Sequence, residues 1–379
     1  MAQGQNGGFF RSLLFPLEQA AATGQPLTGA GVDGSASTSE IGQAPRTGDD
    51  TRAPVLTRFR ARGTQQPSQK GASRPPTIWG AGRNQQQYLT LVQANPDTCS
   101  SATRHEELDA LFWRKFRADI IGLEEVRRPW DNNSGTVPAD GHYALFHSKC
   151  DDTSNLGVGI MVRTHLVPTL MALRLLGPRL LVAKFRGAQR NLTVIVAHAP
   201  TAVASDEDRA AFYVLLDEAT SSCNDMDTKV VLMDANAGPG TSRIGWEHLM
   251  GPHGVPYTRD PDTDPNCVAF GQYCYDHSLC IGHTWFAHKV RHKHTFYPQA
   301  ASIGKPRDMD HVLIDQRSRS CLEDVKVSTE AIISTMESFV DGELSGHRAV
   351  VAKLHCRLKA QTGNVPEASY IRSDCMKPD

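Results

Sequence analysis

The segment K-V-V-L-M-D-A-N-A-G-P-G, residues 229–240, joins an apolar strand to a polar turn and does most to decide the fold. Residues 230–233 are four apolar residues in a row, as in a strand that is buried on both faces. The run ends at Asp234 and Asn236, although acidic and amide side chains are poor strand formers. A single such residue is usually a turn former, but the same arrangement recurs along the chain and requires another explanation.

Five further apolar runs end or begin at polar residues. These are Asn95 after YLTLVQA, Glu124 and Glu125 after DIIGL, His198 after LTVIVA, Asp310 within DMDHVLI, and His347 before RAVVAKL. Because strand ends meet at the rim of a sheet, we expect these side chains to lie close together. Oxygen ligands combined with a histidine suit Mg²⁺ or Mn²⁺ and the chemistry of phosphates.

Short apolar runs separated by turns predict many strands from Tyr88 onward, and 278–286 (SLCIGHTWF) and 292–298 (HKHTFYP) are among them. Three segments have helical periodicity, namely 104–117, 206–221 and the shorter 268–277. Many strands with few helices predict an α/β fold in which two mixed β-sheets pack face to face, with helices outside.

The composition separates one folded domain from two tails. The chain has 379 residues, 40% hydrophobic and 21% charged, with a net charge of −1. Residues 1–84 are rich in Gly, Ala, Ser, Thr, Gln and Pro, which predicts a disordered low-complexity tail. The folded domain is predicted over 85–360, followed by a flexible C-terminal tail over 361–379. No apolar run approaches the roughly 18 residues of a membrane helix, so neither a membrane nor a secreted protein is expected.

Charge and cysteine content bear on partners and compartment. The nine cysteines are an odd number and scattered, which favours a reducing, intracellular compartment over a disulfide scaffold. Basic residues between 52 and 74 form either a solvated tail or a nucleic-acid tether, and they favour a nuclear over a cytoplasmic location. Residues 76–379 carry 32 Lys and Arg against 36 Asp and Glu, a net charge of −4 that argues against tight duplex binding. The basic stretch 288–294 is a local exception.

A zinc site formed by Cys274, Cys280 and His283 is conceivable from their proximity in sequence. No second pair follows at the spacing of a zinc finger, so these residues are not expected to meet at one point.

Five motifs resemble, in order and spacing, those of the endonuclease/exonuclease/phosphatase superfamily. They are DIIGLEEVRR, HAPT, VVLMDANAGPG, DMDHVLI and SGHRAV, which are similar to the family's D-I-I-x-L-Q-E-T, Y-A-P-T, G-D-x-N-A, I-D-Y-I-L and S-D-H-R-P-V. The resemblance covers about residues 86–358 and implies a four-layered α/β sandwich. LCIGHTWFAHKVRHKHTF before DMDHVLI is typical of LINE-type retrotransposon endonuclease domains and of craniofacial-development-protein-like relatives.

The resemblance implies roles for the matching residues around a Mg²⁺ or Mn²⁺ ion. Glu125 matches the metal-ligand glutamate, and Asn95 matches the asparagine that orients the metal site and the phosphate. His198 stands where a tyrosine would contact the substrate.

Four further residues match the family's catalytic set. Asp234 matches the aspartate that activates or positions the attacking water, and Asn236 matches the asparagine that contacts phosphate oxygens. Asp310 and His347 match a pair in which the carboxylate orients and charges the imidazole. A cationic imidazole, amide donors and a base suit a transition state that carries extra negative charge.

Departures from the family's motifs concern the same site. Gly346 replaces the aspartate beside the catalytic histidine, so one metal ligand is missing and weaker metal affinity is expected. Glu124 replaces a glutamine, His198 a tyrosine and Ala94 an aromatic residue.

Three functions are therefore compared. The first is a Mg²⁺-dependent phosphodiesterase, a DNA endonuclease of retrotransposon origin that leaves a 3′-hydroxyl nick and is weakened by Gly346. The second is an inactive relative that binds nucleic acid or a protein, and the third is a phosphatase or phosphodiesterase for phospholipids or inositol phosphates. The first is preferred, with DNA as the partner, no membrane, no inferable stable protein partner, and a monomeric state.

Overall fold

Two β-sheets pack face to face in the computed structural model of the chain, which describes residues 88–128, 136–148, 156–256, 264–298, 305–333, 339–340, 343–344, 346–360 and 369–370. All of them belong to one unit, Lys70–Asp379. The predicted tail 1–84 lies outside the described residues, as does 361–379 except for one short strand. The disorder of both tails therefore stays a prediction.

The described strands are short, as the turn-rich sequence predicts. In chain order they are β1 (Tyr88–Ala94), β2 (Ile120–Leu123), β3 (Tyr143–His147), β4 (Gly159–Arg163), β5 (Leu170–Leu175), β6 (Leu180–Phe185), β7 (Leu192–His198), β8 (Thr228–Asp234), β9 (Leu279–Ile281), β10 (Phe296–Tyr297), β11 (Asp310–Asp315), β12 (Leu322–Ile332), β13 (Phe339–Val340), β14 (Glu343–Leu344), β15 (Gly346–His355) and β16 (Ser369–Tyr370).

Both large sheets are mixed. The first has the order β10-β15-β1-β2-β4-β3, with β12 also paired to β15, and the second has the order β16-β5-β6-β7-β8-β11-β9. In the first sheet β1 runs parallel to β2 and antiparallel to β15. In the second sheet β7 runs parallel to β8, which is antiparallel to β11. The described residues of β13 and β14 form a separate two-stranded pair.

Successive residues of the central strands face different layers. Leu91 and Leu232 belong to the apolar core between the sheets, whereas Val92 packs with the first helix and Met233 with the other two helices. Because both faces of each sheet are covered, the strands are continuous apolar runs rather than alternating ones. At Gly122 the two sheets approach so closely that an added Cβ would lie 2.9 Å from the Cβ of Leu232.

Three α-helices form the outer layers, namely α1 (Ala102–Phe116), α2 (Asp206–Ser221) and α3 (Pro265–Asp276). α1 covers the outer face of the first sheet, and α2 and α3 cover that of the second. The side chains of Ser101, Ser205 and Asp264 accept hydrogen bonds from backbone N–H groups in the first turns. No helix in the described ranges has the length and apolar character needed to cross a membrane.

Two segments that were predicted to be strands are strand over only two or three residues each. The segment 278–286 forms strand only at Leu279–Ile281, and Gly282–Trp285 is a 3₁₀ turn that Thr284 closes by donating its hydroxyl to the Ile281 carbonyl at 2.6 Å. In 292–298 only Phe296–Tyr297 is strand. Apolar content alone did not show where side-chain hydrogen bonds replace a strand ladder.

Candidate active site

The strand directions bring the predicted polar residues to one rim of the sandwich. β1 and β2 end, and β15 begins, at the same edge of the first sheet because β15 runs opposite to them. In the second sheet Asp234 closes β8 and lies directly opposite Asp310, the first residue of β11. His198 closes β7 and lies beside Asp234 in the parallel register.

Asn95 connects the two sheets at this rim. Its Nδ2 donates to Oε1 of Glu125 at 3.2 Å and to Oδ2 of Asp234 at 3.1 Å. Its Oδ1 accepts from the backbone N–H of Asp97 at 3.0 Å. The amide is fully buried, so these contacts fix its orientation. The predicted Asn95, Glu125 and Asp234 are therefore neighbours, although they come from three different strands.

Asp310 and His347 form a buried pair. Nδ1 of His347 lies 3.0 Å from Oδ2 and 3.2 Å from Oδ1 of Asp310, and 4.0 Å from Oδ2 of Asp234. Gln93 donates from Nε2 to Oδ1 of Asp310 at 2.8 Å and to Oε2 of Glu124 at 3.0 Å. The carboxylate thus receives hydrogen bonds from an imidazole and an amide at a fully buried position.

The electrostatics follow from this burial. Burial lowers the pKa of His347, but the charge and hydrogen bond of Asp310 outweigh it and raise that pKa to about 10, so His347 is an imidazolium at neutral pH. Burial also raises the pKa of Asp310, yet the charge and hydrogen bond of His347 hold it below its ordinary value. Burial and the Asp310 charge raise the pKa of Asp234 to about 7.

Glu124 and Glu125 both lie at the site, rather than on opposite faces of a strand. β2 ends at Leu123, and Glu125 has a left-handed backbone with φ of +50°. Its carboxylate is 19% exposed, contacts Arg127, and faces the rim. Glu124 is fully buried, and burial followed by the charges of Asp234 and Asp310 raises its pKa well above the ordinary value.

Asn236 is held beside the site by the turn after β8. Its backbone N–H donates to Oδ1 of Asp234 at 3.1 Å, and its Nδ2 donates to the carbonyl of Ala199 at 3.0 Å. Its φ of +48° is left-handed, a conformation that asparagine tolerates better than most residues. The side chain therefore ties the β8 turn to the end of β7.

His198 is buried against the same carboxylates. Its Nε2 lies 3.9 Å from Oε1 of Glu125, and within the described part of the chain its Nδ1 has no hydrogen-bond partner. Burial, and then the positive charges of Arg179 and His347, lower its pKa to about 3. His198 is therefore a neutral imidazole, unlike His347.

Solved structures with the same architecture place the sandwich among known folds. The catalytic domain of APE2 from Xenopus laevis matches with a TM-score of 0.53 and 17% identity, over 73% of this chain and 94% of that one. An AP endonuclease from Leishmania major matches with a TM-score of 0.52 and 10% identity, over 71% and 88% of the chains. The fold is that of the endonuclease/exonuclease/phosphatase superfamily. The resemblance read from the five motifs and the two-sheet α/β architecture are thus confirmed.

The curated proteins that are similar in sequence are much longer than the part that this chain matches. Over 246 residues, 65% of its length, the chain is 24% identical to craniofacial development protein 2 of Bos taurus and of Tragulus javanicus. It spans about two fifths of the length of these relatives, 38% and 39% respectively. No protein-family model matches the chain.

Gly346 stands where the motif resemblance leads one to expect an aspartate. The conformation of its backbone favours glycine. Gly346 opens β15 with φ of +109°, a value that side chains other than glycine rarely adopt. A residue with a side chain would therefore be strained at this position beside His347.

Three residues at the site were not predicted, namely Gln93, Arg127 and Arg179. Gln93 lies two residues before Asn95, and this period-2 spacing along β1 is a signal that places both on one face. Arg179 lies in the β5–β6 turn and donates from Nη1 to the carbonyl of His198 at 3.2 Å. No local pattern identifies it, because the register between β6 and β7 brings it there.

Cys274 and Cys280 do not meet His283 at a metal site. Cys274 lies on α3 and packs in the core between that helix and the second sheet, whereas Cys280 faces the interior between the sheets. Neither belongs to any group of three metal-ligating side chains among the described residues.

Proposed function

We propose that this chain is a divalent-metal-dependent phosphodiesterase that cleaves DNA, and that the glycine at position 346 weakens it. The observation that carries the proposal is the buried Asp310–His347 pair beside Asp234 and Asn95. A preorganised imidazolium in a dry site stabilises negative charge that develops on a phosphate far more than it would in water. A buried ion pair is often no more stabilising than an apolar pair of similar size, so a role in chemistry is a reason for its presence here.

The oxygen donors fit a hard divalent cation. Glu125 presents a partly exposed carboxylate at the rim, and the Asn95 amide holds that carboxylate in place. Asp234 and Asp310 supply carboxylates within the same pocket, and Oε1 of the buried Glu124 has no hydrogen-bond partner in the described residues. Glu125 and Asn95 would hold Mg²⁺ or Mn²⁺, which neutralises phosphate charge and polarises the phosphoryl group when bound.

Each of the remaining residues has a separate proposed role around the scissile phosphate. Asp234, fixed by Asn95, positions and deprotonates the attacking water. His347, charged and oriented by Asp310, donates a hydrogen bond to a phosphate oxygen. His198 and Asn236 line the phosphate side of the rim and contact its oxygens.

DNA is the proposed substrate. The solved structures of similar fold include one named an AP endonuclease and one named a 3′-5′ exonuclease, from Neisseria meningitidis, which matches with a TM-score of 0.50. The motif pattern favours a retrotransposon origin. Arg127 and Arg179, next to Glu125 and His198, provide the positive charge that a phosphodiester backbone requires. We further propose that the protein acts as a monomer in the nucleus.

Plasmid nicking tests the proposal. Supercoiled plasmid incubated with the full-length chain should become nicked with Mg²⁺ or Mn²⁺ but not with EDTA. Glu125→Gln and His347→Gln should each lower the rate by about 100-fold or more, as expected for loss of a transition-state contact. His355→Gln is the matched control because His355 is exposed at the far end of the same strand, eight residues and about 26 Å away. Nicking that persists in EDTA, or that is equal in all variants, would contradict the proposal.

The backbone at Gly346 favours a second candidate, an inactive relative that binds DNA. In that case wild-type protein retards a DNA fragment in a gel without cutting it at any metal concentration. Glu125→Gln would then leave the retardation unchanged.

A further inference from the structure

A second group of ligand-type side chains lies on the opposite side of β11 from the active site. His283 is in the 3₁₀ turn after β9, Asp308 lies two residues before β11, and His311 follows Asp310. Their exposures are 1%, 1% and 0%. Because neighbouring strand residues face opposite ways, His311 points away from the pocket that holds Asp310.

The strand register brings the two histidines together. β9 and β11 are antiparallel with Ile281 opposite Leu313, so two residues further along His283 comes next to His311. Their rings stack with centroids 5.5 Å apart. Nε2 of His283 lies 2.7 Å from Oδ2 of Asp308, and Nδ1 of His311 lies 3.9 Å from Oδ1. One ligand atom from each residue lies within 4.8 Å of the other two.

This group, the His283–Asp308–His311 cluster, is short of hydrogen bonds. Among the residues the structure describes, no hydrogen-bond partner exists for either ring nitrogen of His283, either carboxylate oxygen of Asp308, or Nδ1 of His311. The short contact between His283 and Asp308 is not aligned as a hydrogen bond. Buried polar atoms are nearly always satisfied, so five unsatisfied atoms at one point indicate a missing partner.

The second ring nitrogen of His311 is already committed. Nε2 lies 2.7 Å from the carbonyl oxygen of Ala237, which accepts only, so Nε2 carries the proton. Nδ1 therefore has a free lone pair directed at Asp308. Metal-binding histidines commonly donate their other N–H to a carbonyl in this way.

Among the described residues, no lysine or arginine forms an ion pair with Asp308, whose close ionisable neighbours are His283 and His311. The buried Lys293 interacts with the charge of Asp308 at a distance but donates its hydrogen bonds to the backbone carbonyls of His253 and Phe286. It makes no ion pair with Asp308 within the described part of the chain. Since an unpaired buried carboxylate is costly, a cation between the three side chains would account for both the charge and the unsatisfied atoms.

We propose that His283, Asp308 and His311 bind a structural zinc ion. Two imidazoles and one carboxylate suit Zn²⁺, whereas Mg²⁺ prefers oxygen ligands alone. Ligand atoms around a tetrahedral zinc at about 2.0–2.1 Å lie about 3.3 Å apart, so His283 and Asp308 move apart by about 0.6 Å and His311 approaches by a similar amount. A water takes the fourth position.

The zinc would act on the active site through the β8 turn. His311 holds the carbonyl of Ala237, and the same turn carries Asp234 and Asn236. The ion therefore fixes the turn that carries two of the proposed catalytic residues without touching the substrate itself.

Metal analysis of the full-length chain tests this proposal. After dialysis with Zn²⁺ and then excess Mg²⁺, wild type should retain roughly one zinc per chain. Asp308→Asn and His311→Phe should retain less than about a fifth of that. The phenyl ring keeps the stacking on Phe270, 4.7 Å away, but has no ligand atom. Glu125→Gln and Cys280→Ala are the controls and should keep the zinc.

Two further readouts keep the test decisive if a variant does not fold. Zn²⁺ should raise the melting temperature of metal-free wild type, because a ligand that binds only the folded state stabilises it. Co²⁺-loaded wild type should show the visible bands of a tetrahedral site without a thiolate charge-transfer band. Wild type without stoichiometric zinc and without a thermal shift, folded variants that keep the zinc, or a thiolate band would each overturn the proposal.

Discussion

Replacing His347 by glutamine should make the stability of the protein less dependent on pH. Asp310, Asp234 and Asp97 face the imidazole and stabilise its charge, and His198 is the neighbouring imidazole, held neutral by burial. A pKa raised from 6.5 to about 10 means that the folded state holds the proton more tightly than the unfolded state does. The resulting stabilisation is fully present below about pH 6.5 and is lost as the pH rises through about 10.

The size of this effect follows from the shift in pKa. Each unit corresponds to about 1.4 kcal/mol, so the contribution falls by about 4 kcal/mol between pH 6 and pH 10, and about 2 kcal/mol of this is lost by pH 8. Glutamine can still donate a hydrogen bond to Asp310 but carries no charge. The difference in unfolding free energy between wild type and His347→Gln should therefore shrink by this amount over the same range.

Urea unfolding of the full-length chain at pH 6, 8 and 10 measures this difference, because groups whose pKa does not depend on His347 cancel between the two proteins. His355→Gln serves as the control, since His355 is exposed. If the difference between wild type and His347→Gln changes by less than about 1 kcal/mol from pH 6 to pH 10, His347 is not the charged partner of Asp310.

Three other substitutions have defined outcomes. Gly346→Asp should not restore activity, because a φ of +109° costs a side chain about 1–3 kcal/mol, and the melting temperature should fall; a faster nicking rate would show that the backbone adapts. Gly122→Ala should destabilise by about 1–3 kcal/mol, because its Cβ would lie 2.9 Å from Leu232 where the sheets meet; unchanged urea unfolding would contradict this. Gln93→Met removes the amide that donates to Asp310. The variant should lose about 1–3 kcal/mol of unfolding free energy and part of its nicking activity. A variant as stable and as active as wild type would refute the place of Gln93 in the site.

Much of the architecture was predictable because the strands and helices have strong local signals. Helix α2 begins and ends as predicted, since Ser205 caps it and its first turn is acidic. The buried strands are apolar on both faces, and this is typical of a sheet covered on both sides. The strand ends at Asn95, Glu125, Asp234, Asp310 and His347 converge in the structure as expected for one rim.

What could not be predicted depends on pairing between distant segments. The orientation of Glu124 follows from the end of β2 at Leu123 and the left-handed backbone of Glu125, and no local composition encodes either. Of the residues suggested for zinc, only His283 has a metal-type environment, and its neighbours are Asp308 and His311 rather than the two cysteines. The register between β9 and β11 places His283 next to His311.

The position of β15 within the first sheet has a consequence for how the protein is made. β1 is the first described strand, yet its antiparallel partner lies more than 250 residues later, with Val92 opposite Val351. During synthesis, β1 can therefore pair with β15 only after nearly the whole domain has left the ribosome. Pairing between segments so distant in sequence slows folding. His347 lies on that same strand, which is synthesised late. The proposed catalytic site therefore cannot be completed until β15 has been synthesised, and a shorter nascent chain lacks His347.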